Sequence, residues 1–375
     1  MKIVCDNKIP FLKGVLEPYA EVVYLPGKET TPEVVRDADA LITRTRTICN
    51  EALLKGSSVK VIASATIGYD HIDTAWCESN GVVWKNAPGC NSHSVEQYIA
   101  SVLCTLAGRF GFRFKDMTLG VVGVGNVGSK VARTAGLLGM KVLLNDPPRE
   151  RREGPEGFTD LDTIVEKADI ITLHVPLSKD GSDRTWHLFD RERISRLRQD
   201  QILINSSRGP VVDNSAFKEA LLRGTLKAGV LDTWEKEPEL DRDLLGALAI
   251  ATPHIAGYSA DGKANGTAAS VRTVSECLGL PLTDWRPRDI PAPAQRLDFS
   301  IDAHGKRLQD ILSEAILHTY DVREDDARLR VAPEAFETLR GDYPVRREPT
   351  AFTINLTGAD DEVASSLSAL GFKVL

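Results

Sequence analysis

The sequence has no apolar run near the ~20 residues a membrane-spanning helix needs, so a role within the bilayer is not expected. Cysteine is sparse and scattered: Cys5, Cys49, Cys77, Cys90, Cys104 and Cys277, with no C-x-x-C pair. That distribution argues against a zinc site or a disulfide framework and fits buried thiols in a reducing cytoplasm. No metal is expected, and only Cys90, between Gly89 and Asn91 in a loop-like stretch, stands where a thiol could be reactive. Positive charge is in deficit, with 46 Lys and Arg against 53 Asp and Glu and a formal net charge of −7. Such a balance disfavours nucleic acid or an anionic membrane surface as partner. The opening Met1-Lys-Ile-Val-Cys-Asp6 enters a strand-like run without the pattern of a secretory leader. There is no low-complexity tract and no repeat beyond two series of α/β type.

What the chain does contain is a glycine fingerprint, Leu119-Gly-Val-Val-Gly-Val-Gly-Asn-Val-Gly128. A β-branched apolar run feeds Gly123, Gly125 and Gly128 in G-x-G-x-x-G spacing, and a helix is predicted over 129–138. The first glycine permits a tight turn, the second lets backbone approach a pyrophosphate, and the third lets helix pack on strand. The phosphates then meet the positive end of the helix dipole. A second strand-like run, 141–145, ends in Asp146, about 20 residues on, where a ribose-binding carboxylate belongs. Asp146 favours NAD over NADP, although Arg149 and Arg151 nearby could host a 2′-phosphate.

Short apolar runs recur at parallel α/β spacing on both sides of this fingerprint. Before it lie 3–5, 40–43, 59–63 and 82–84; from it onward lie 119–122, 142–144, 170–173, 201–204 and 228–231. Alternation with helical stretches predicts doubly wound parallel sheets. A helix is expected to start near Ser92 or Ser94, with Gln97 completing a capping box to Ser94. Pro147 to Gly157, charged and proline-bearing, reads as an exposed loop, and 261–278 as a helix. Four prolines between Pro281 and Pro293 mark a linker. The chain's end reads as strand, helix, strand over 351–357, 360–370 and 372–375.

Three patterns that could carry chemistry follow strand-like runs, where a parallel sheet presents its ligands. Arg208, in Asn205-Ser-Ser-Arg-Gly209, can grip a carboxylate bidentately and stays charged at any working pH. Asp232, Glu235 and Glu237 form an acidic segment that could equally be a solvated loop. His254, in Thr252-Pro-His-Ile-Ala-Gly257, follows a strand and precedes a glycine, whereas the six other histidines lack such context. A carboxylate beside it would raise its proton affinity and orient its ring.

Together the fingerprint, the Ser-Arg-Gly at 207–209, the Asp232 to Pro238 segment and Pro253-His254 resemble the D-2-hydroxyacid dehydrogenases over roughly residues 1 to 280. The resemblance implies that Arg208, Glu237 and His254 are the catalytic set and that NAD is the cofactor. It further implies a discontinuous, flavodoxin-like substrate-binding domain (1–92 and 257–282) into which a Rossmann NAD domain (93–256) is inserted. Cofactor contacts carried over are Gly123, Gly125, Asn126, Val127, Gly128, Asp146, Val175, Pro176, Ser206, Asp232 and Gly257. Substrate contacts are Thr45, Thr66, the loop amides of Ile67 and Gly68, and Tyr258.

A narrower resemblance, to a vitamin B6 branch of that family acting on a phosphorylated 2-hydroxy acid, rests on six further segments. These are Thr66–Asp73, Asn86–Asn91, Pro253–Tyr258, Asp146-Pro-Pro148, Tyr320–Asp326 and Arg346-Arg347. It implies a small α+β C-terminal domain (290–375) through which two copies dimerise. Arg44 and Arg46 suit a phosphate dianion, and Arg346 and Arg347 could reach the same pocket across a dimer. Two other readings stay open: phosphoglycerate dehydrogenase with a C-terminal regulatory module, or a non-catalytic, corepressor-like NAD sensor.

Overall fold

Fourteen strands, every pair parallel, form sheets of five, six and three strands in a computed structural model that describes all of residues 1–375. The chain divides into two compact units, residues 1–91 with 259–291, and residues 92–258 with 292–375.

In the first unit the strands are β1 (Lys2–Asp6), β2 (Glu21–Leu25), β3 (Ala40–Thr43), β4 (Val61–Ser64) and β5 (Val83–Lys85), in the order β2-β1-β3-β4-β5. That is the flavodoxin-like order. Strands β3 and β4 are buried throughout, because both faces of a parallel sheet are covered. The edge strand β2 is half-exposed and has no counterpart among the apolar runs. Helix Ala260–Leu278 lays Val271 and Val274 into the core of this sheet.

The second unit carries β6 (Thr118–Val122), β7 (Lys141–Asn145), β8 (Ile170–Leu173), β9 (Ile202–Asn205), β10 (Ala228–Leu231) and β11 (Ile250–Ala251), in the order β11-β10-β9-β8-β6-β7. The chain turns one way from β6 to β7 and the other way to β8, so the ends of β6 and β8 form the switch point where such sheets bind ligands. Helix Gly128–Leu137 begins there.

The third sheet, also in this unit, is β12 (Asp298–Asp302), β13 (Thr353–Thr357) and β14 (Lys373–Val374). Helix Asp361–Ala369 joins the last two, as the closing pattern predicts. Strand β12 pairs along the whole of β13, yet Asp-Phe-Ser-Ile-Asp has only two apolar residues to announce it. One continuous core joins helix Ser92–Phe110 to Ile311, Leu312, Ala315 and Phe352, so the stretch after 292 packs with the nucleotide unit rather than alone.

Two local expectations fail for identifiable reasons. Residues 147–153 form a helix instead of a loop: Asp146 caps it by accepting from Arg149 N at 3.0 Å, proline occupies the first turn, and Arg149 pairs with Glu153 one turn on. The Ser94–Gln97 capping box does not form, because both side chains serve tertiary contacts. Ser94 Oγ donates to Ala256 O at 2.8 Å, and Gln97 Nε2 donates to Thr319 Oγ1 at 3.0 Å.

Candidate active site

The glycine turn has the shape its spacing predicts. Gly123 has φ +88°, and a Cβ there would lie 2.6 Å from His174 O. At Gly128 a Cβ would fall 1.9 Å from Gly123 O, so only glycine lets the helix start this close to the strand. Gly125 faces open space, and a Cβ there would meet nothing within 4 Å. Gly125 and Asn126 are exposed and Val127 half-buried where the turn meets the helix N-terminus.

Asp146 sits at the end of β7 and accepts from Val124 N at 2.8 Å through Oδ2. Its carboxylate thus braces the turn while keeping lone pairs for a ribose. The two nearby arginines are committed to carboxylates: Arg149 to Glu153 and Arg151 to Asp183. Val175 is half-buried and Pro176 exposed just past β8, and Ser206 Oγ is buried without a partner after β9. The glycine turn and Ser206 both lie at the carboxyl ends of strands of this sheet, after β6 and β9.

Three loops at the ends of β9, β10 and β11 are laced together through their backbones. Asp232 N donates to Asn205 O at 3.0 Å, and His254 N donates to Asp232 O at 2.7 Å. The Trp234 indole donates to Thr252 O at 3.0 Å. Within the first loop, the fully buried Asn205 amide donates to Arg208 O at 2.9 Å and its Oδ1 accepts from Ser207 N at 3.0 Å. Gly209 then passes so close to the Trp234 backbone that a Cβ would sit 2.0 Å from its carbonyl. Sequence order alone does not show these ties; Asn205 and Trp234 are positioning residues that the motifs do not reveal.

The pairing at the centre is between His254 Nδ1 and Glu237 Oε1, 2.6 Å apart. His254 has φ +57°, a left-handed conformation unusual for a residue with a Cβ. Burial pushes the Glu237 carboxyl up, but the hydrogen bond and charge of His254, the Trp234 N–H and the Arg340 guanidinium outweigh it, and the group is held below the ordinary carboxylate range. An ionised carboxylate only accepts, so Nδ1 is the donor in this pair and Nε2 is the ring nitrogen that Glu237 leaves uncommitted. Glu235, by contrast, is structural: it pairs with His187 Nε2 at 2.6 Å and accepts from Asn214 N at 3.0 Å.

Asp232 is 1 % exposed and accepts from Thr252 Oγ1, Ile255 N and Ala256 N, which leaves little of its carboxylate for a cofactor. Beside it, Tyr258 follows Gly257, with the Tyr343 ring edge-on at 5.7 Å and the Arg340 guanidinium 5.7 Å from its centroid. Arg346 is not a residue available to another copy: it is 3 % exposed and its guanidinium bonds within its own chain.

In the first unit, Arg44, Thr45 and Arg46 follow β3 directly; Arg44 is half-buried, the other two exposed. After β4, Ser64 Oγ and Thr66 Oγ1 lie 2.9 Å apart, and Thr66 Oγ1 donates to Gly68 O at 3.1 Å. Asn86 Nδ2 donates to Ile67 O at 2.7 Å, fixing that loop. His71, which lacks context in the sequence, is buried against this group with Nε2 3.3 Å from Thr43 Oγ1.

Comparison with known proteins agrees with this geometry. Residues 96–256 match the family described as D-isomer specific 2-hydroxyacid dehydrogenase, NAD binding domain, and residues 293–371 match a domain of unknown function. D-Lactate dehydrogenase from Aquifex aeolicus, solved with NAD and lactic acid, superimposes with a TM-score of 0.63 at 26% identity, covering 75% of this chain and 96% of that one. The chain belongs to the D-isomer-specific 2-hydroxyacid dehydrogenase family. Within it, the chain is 50% identical to a Bacteroides fragilis protein named erythronate-4-phosphate dehydrogenase, over 95% of this chain and all of that one. A Klebsiella pneumoniae protein of the same name is 42% identical over 100% of this chain and 99% of its own.

Proposed function

We propose that the protein oxidises 4-phospho-D-erythronate at C2 to 3-hydroxy-2-oxo-4-phosphooxybutanoate, an NAD-dependent step of vitamin B6 biosynthesis. The observation that carries this reading is the 2.6 Å His254–Glu237 pair at the carboxyl edge of the sheet that bears the glycine turn, in a chain so close to enzymes of that name.

Bound NAD⁺ would supply the hydride acceptor; it would be held by the glycine turn Gly123–Gly128 through its amides from Gly125 onward, by Asp146 on the ribose, and by Val175, Pro176, Ser206 and Gly257. His254 Nε2 removes the C2 hydroxyl proton, and Glu237 stabilises the imidazolium that forms. Arg208 grips the substrate carboxylate and stabilises negative charge developing on the C2 oxygen. As C2 loses its hydride the alcohol becomes a ketone, and the hydroxyl proton resides on His254 until solvent takes it.

Thr45, Thr66, the Gly68 amide and Tyr258 are assigned to substrate by the family resemblance. Arg44 and Arg46 are assigned to its phosphate because two guanidinium groups suit a dianion. Self-association through the C-terminal stretch is assigned to it by the family resemblance. A cytoplasmic setting is supported by six cysteines that are all free thiols.

The test is a panel of 2-hydroxy acids, with and without terminal phosphate, read by NADH absorbance. Phosphoerythronate should be oxidised in preference to erythronate, lactate and 3-phosphoglycerate. His254→Ala should cut turnover by about 10²-fold or more while NAD affinity is retained. Wild-type protein inert toward phosphoerythronate, or a fully active His254→Ala, overturns the reading. Replacing Arg44 and Arg46 together by Gln should raise KM for the phosphorylated acid and leave erythronate oxidation unaffected.

A further inference from the structure

The loop that presents His254 is held from two sides. From beneath, Asp232 takes its N–H groups: Oδ1 accepts from Ile255 N at 2.8 Å and Oδ2 from Ala256 N at 3.0 Å. From the other side one guanidinium takes its carbonyls. Arg346 Nη2 donates to Ala256 O at 2.6 Å and to Ile255 O at 3.2 Å, and also to Ser94 Oγ at 2.5 Å. Ser94 Oγ itself donates to Ala256 O at 2.8 Å, so two donors converge on that carbonyl.

Arg346 belongs to the stretch that matches a domain of unknown function, ninety residues beyond the loop it grips. It is 3 % exposed, lies 4.3 Å from the Tyr320 ring centroid, and has Nη1 3.4 Å from the Tyr343 hydroxyl. Burial works against its charge, but Tyr343, Tyr320, Asp325 and Asp232 more than compensate, and the guanidinium stays ionised. A buried charge with planar, directed donors is costly to desolvate and is retained only where its bonds are well made.

We propose that Arg346 is a positioning residue for the acid–base histidine. By clamping the carbonyls of Ile255 and Ala256 against the Asp232 carboxylate, it fixes the backbone that holds His254 in its left-handed conformation and aims the imidazole at Glu237. The C-terminal stretch thus completes the catalytic loop of its own chain, in addition to any part it plays in self-association. This inference rests on the reading of His254 as the base.

The experiment compares Arg346→Met, Arg346→Lys and Arg330→Gln with wild type and His254→Ala. Arg330 belongs to the same stretch, but its guanidinium bonds the carbonyls of Leu245 and Leu248 and Asp326, whose carboxylate takes Ala251 N within β11, and it touches no carbonyl of the loop at 254–257. Arg346→Met should lower kcat by about 10²-fold, the cost of a small misplacement at the reacting centre, with NAD affinity and substrate KM little changed. Arg346→Lys, whose shorter side chain keeps the charge but cannot bring its ammonium fully to the position of Nη2, should recover part of that loss. Arg330→Gln should lower Tm yet keep kcat within about two-fold of wild type.

The His254 C2–H resonance, identified by its loss in His254→Ala, supplies a readout independent of turnover. It should shift in both Arg346 variants and stay in place in Arg330→Gln. An unmoved resonance with wild-type kcat in a folded Arg346→Lys overturns the inference, even if Arg346→Met fails to fold. A fully active His254→Ala overturns the underlying reading instead, while the resonance still reports whether Arg346 sets the ring's position.

Discussion

Glu237 shows how much of this site is decided by a single side chain. Its carboxyl is largely buried, which alone would favour the neutral acid, and the opposite occurs because His254, the Trp234 N–H and Arg340 surround it. A carboxyl depressed in the folded state contributes stability above its unfolded value near 4.5, and that contribution disappears as pH falls through the lower folded value. Glu237→Gln should therefore lower Tm at pH 7, and the gap to wild type should close as pH drops below about 4.5. Turnover should fall by about 10²-fold, because neutral Gln cannot stabilise an imidazolium. Thermal melts between pH 3 and 7 together with NADH-linked rates check both; a Tm gap that is the same at every pH would place the stabilisation elsewhere than in the charge.

Among elements, the strand–turn–helix at 118–137 is legible in the sequence because its signal is local: β-branched run, three spaced glycines, then a helix. The pairing of Glu237 with His254 is legible for a related reason, since both stand past apolar runs in a sheet whose ligands gather at strand ends, as does Arg208. What is not legible depends on partners far along the chain. Asn205 looks like any strand-end amide until Asp232 N meets its carbonyl, and Ser94 reads as a cap until Ala256 and Arg346 claim it. Over 147–153 the charges suggest solvent, whereas they form a helix's own cap and i,i+4 pair. The glycine turn yields a discriminating pair of variants. A methyl at Gly125 meets nothing in the protein, so Gly125→Ala should leave Tm almost unchanged while weakening NAD by tenfold or more (about 1.4 kcal/mol), since the methyl takes the space a pyrophosphate needs. Gly128→Ala should weaken NAD and also destabilise the fold by about 1–3 kcal/mol, because its methyl strikes Gly123 O. Isothermal titration and melting curves of the two separate binding from folding; equal Tm losses would mean that Gly125 is also a packing position.

On the scale of the whole molecule, the stretch after 292 is bound into the nucleotide unit rather than appended to it. Helix Ser92–Phe110 is buried along most of its length, and part of that cover comes from the C-terminal helices. Ser101 Oγ accepts from Val322 N at 3.0 Å, Gln309 Oε1 accepts from Phe114 N at 2.9 Å, and the Tyr98 and Tyr320 rings lie 6.3 Å apart. Ile311, Leu312, Ala315 and Phe352 share one core with Val95, Ile99 and Leu103. Deleting residues 292–375 would bare that face of the helix, at about 25 cal/mol for each Å² of apolar surface returned to water. It would also strip Asp326 from Ala251 N in strand β11 and Arg346 from Ala256 O in the loop that carries His254. A chain ending at residue 291 should therefore be poorly soluble, and any soluble fraction should be inactive toward phosphoerythronate. Sedimentation of the full chain should give a particle of about twice its 41.0 kDa, whereas the shortened chain should yield no such species. A shortened chain that is monomeric, soluble and fully active would show that the C-terminal stretch serves self-association alone and that the His254 loop holds its shape unaided.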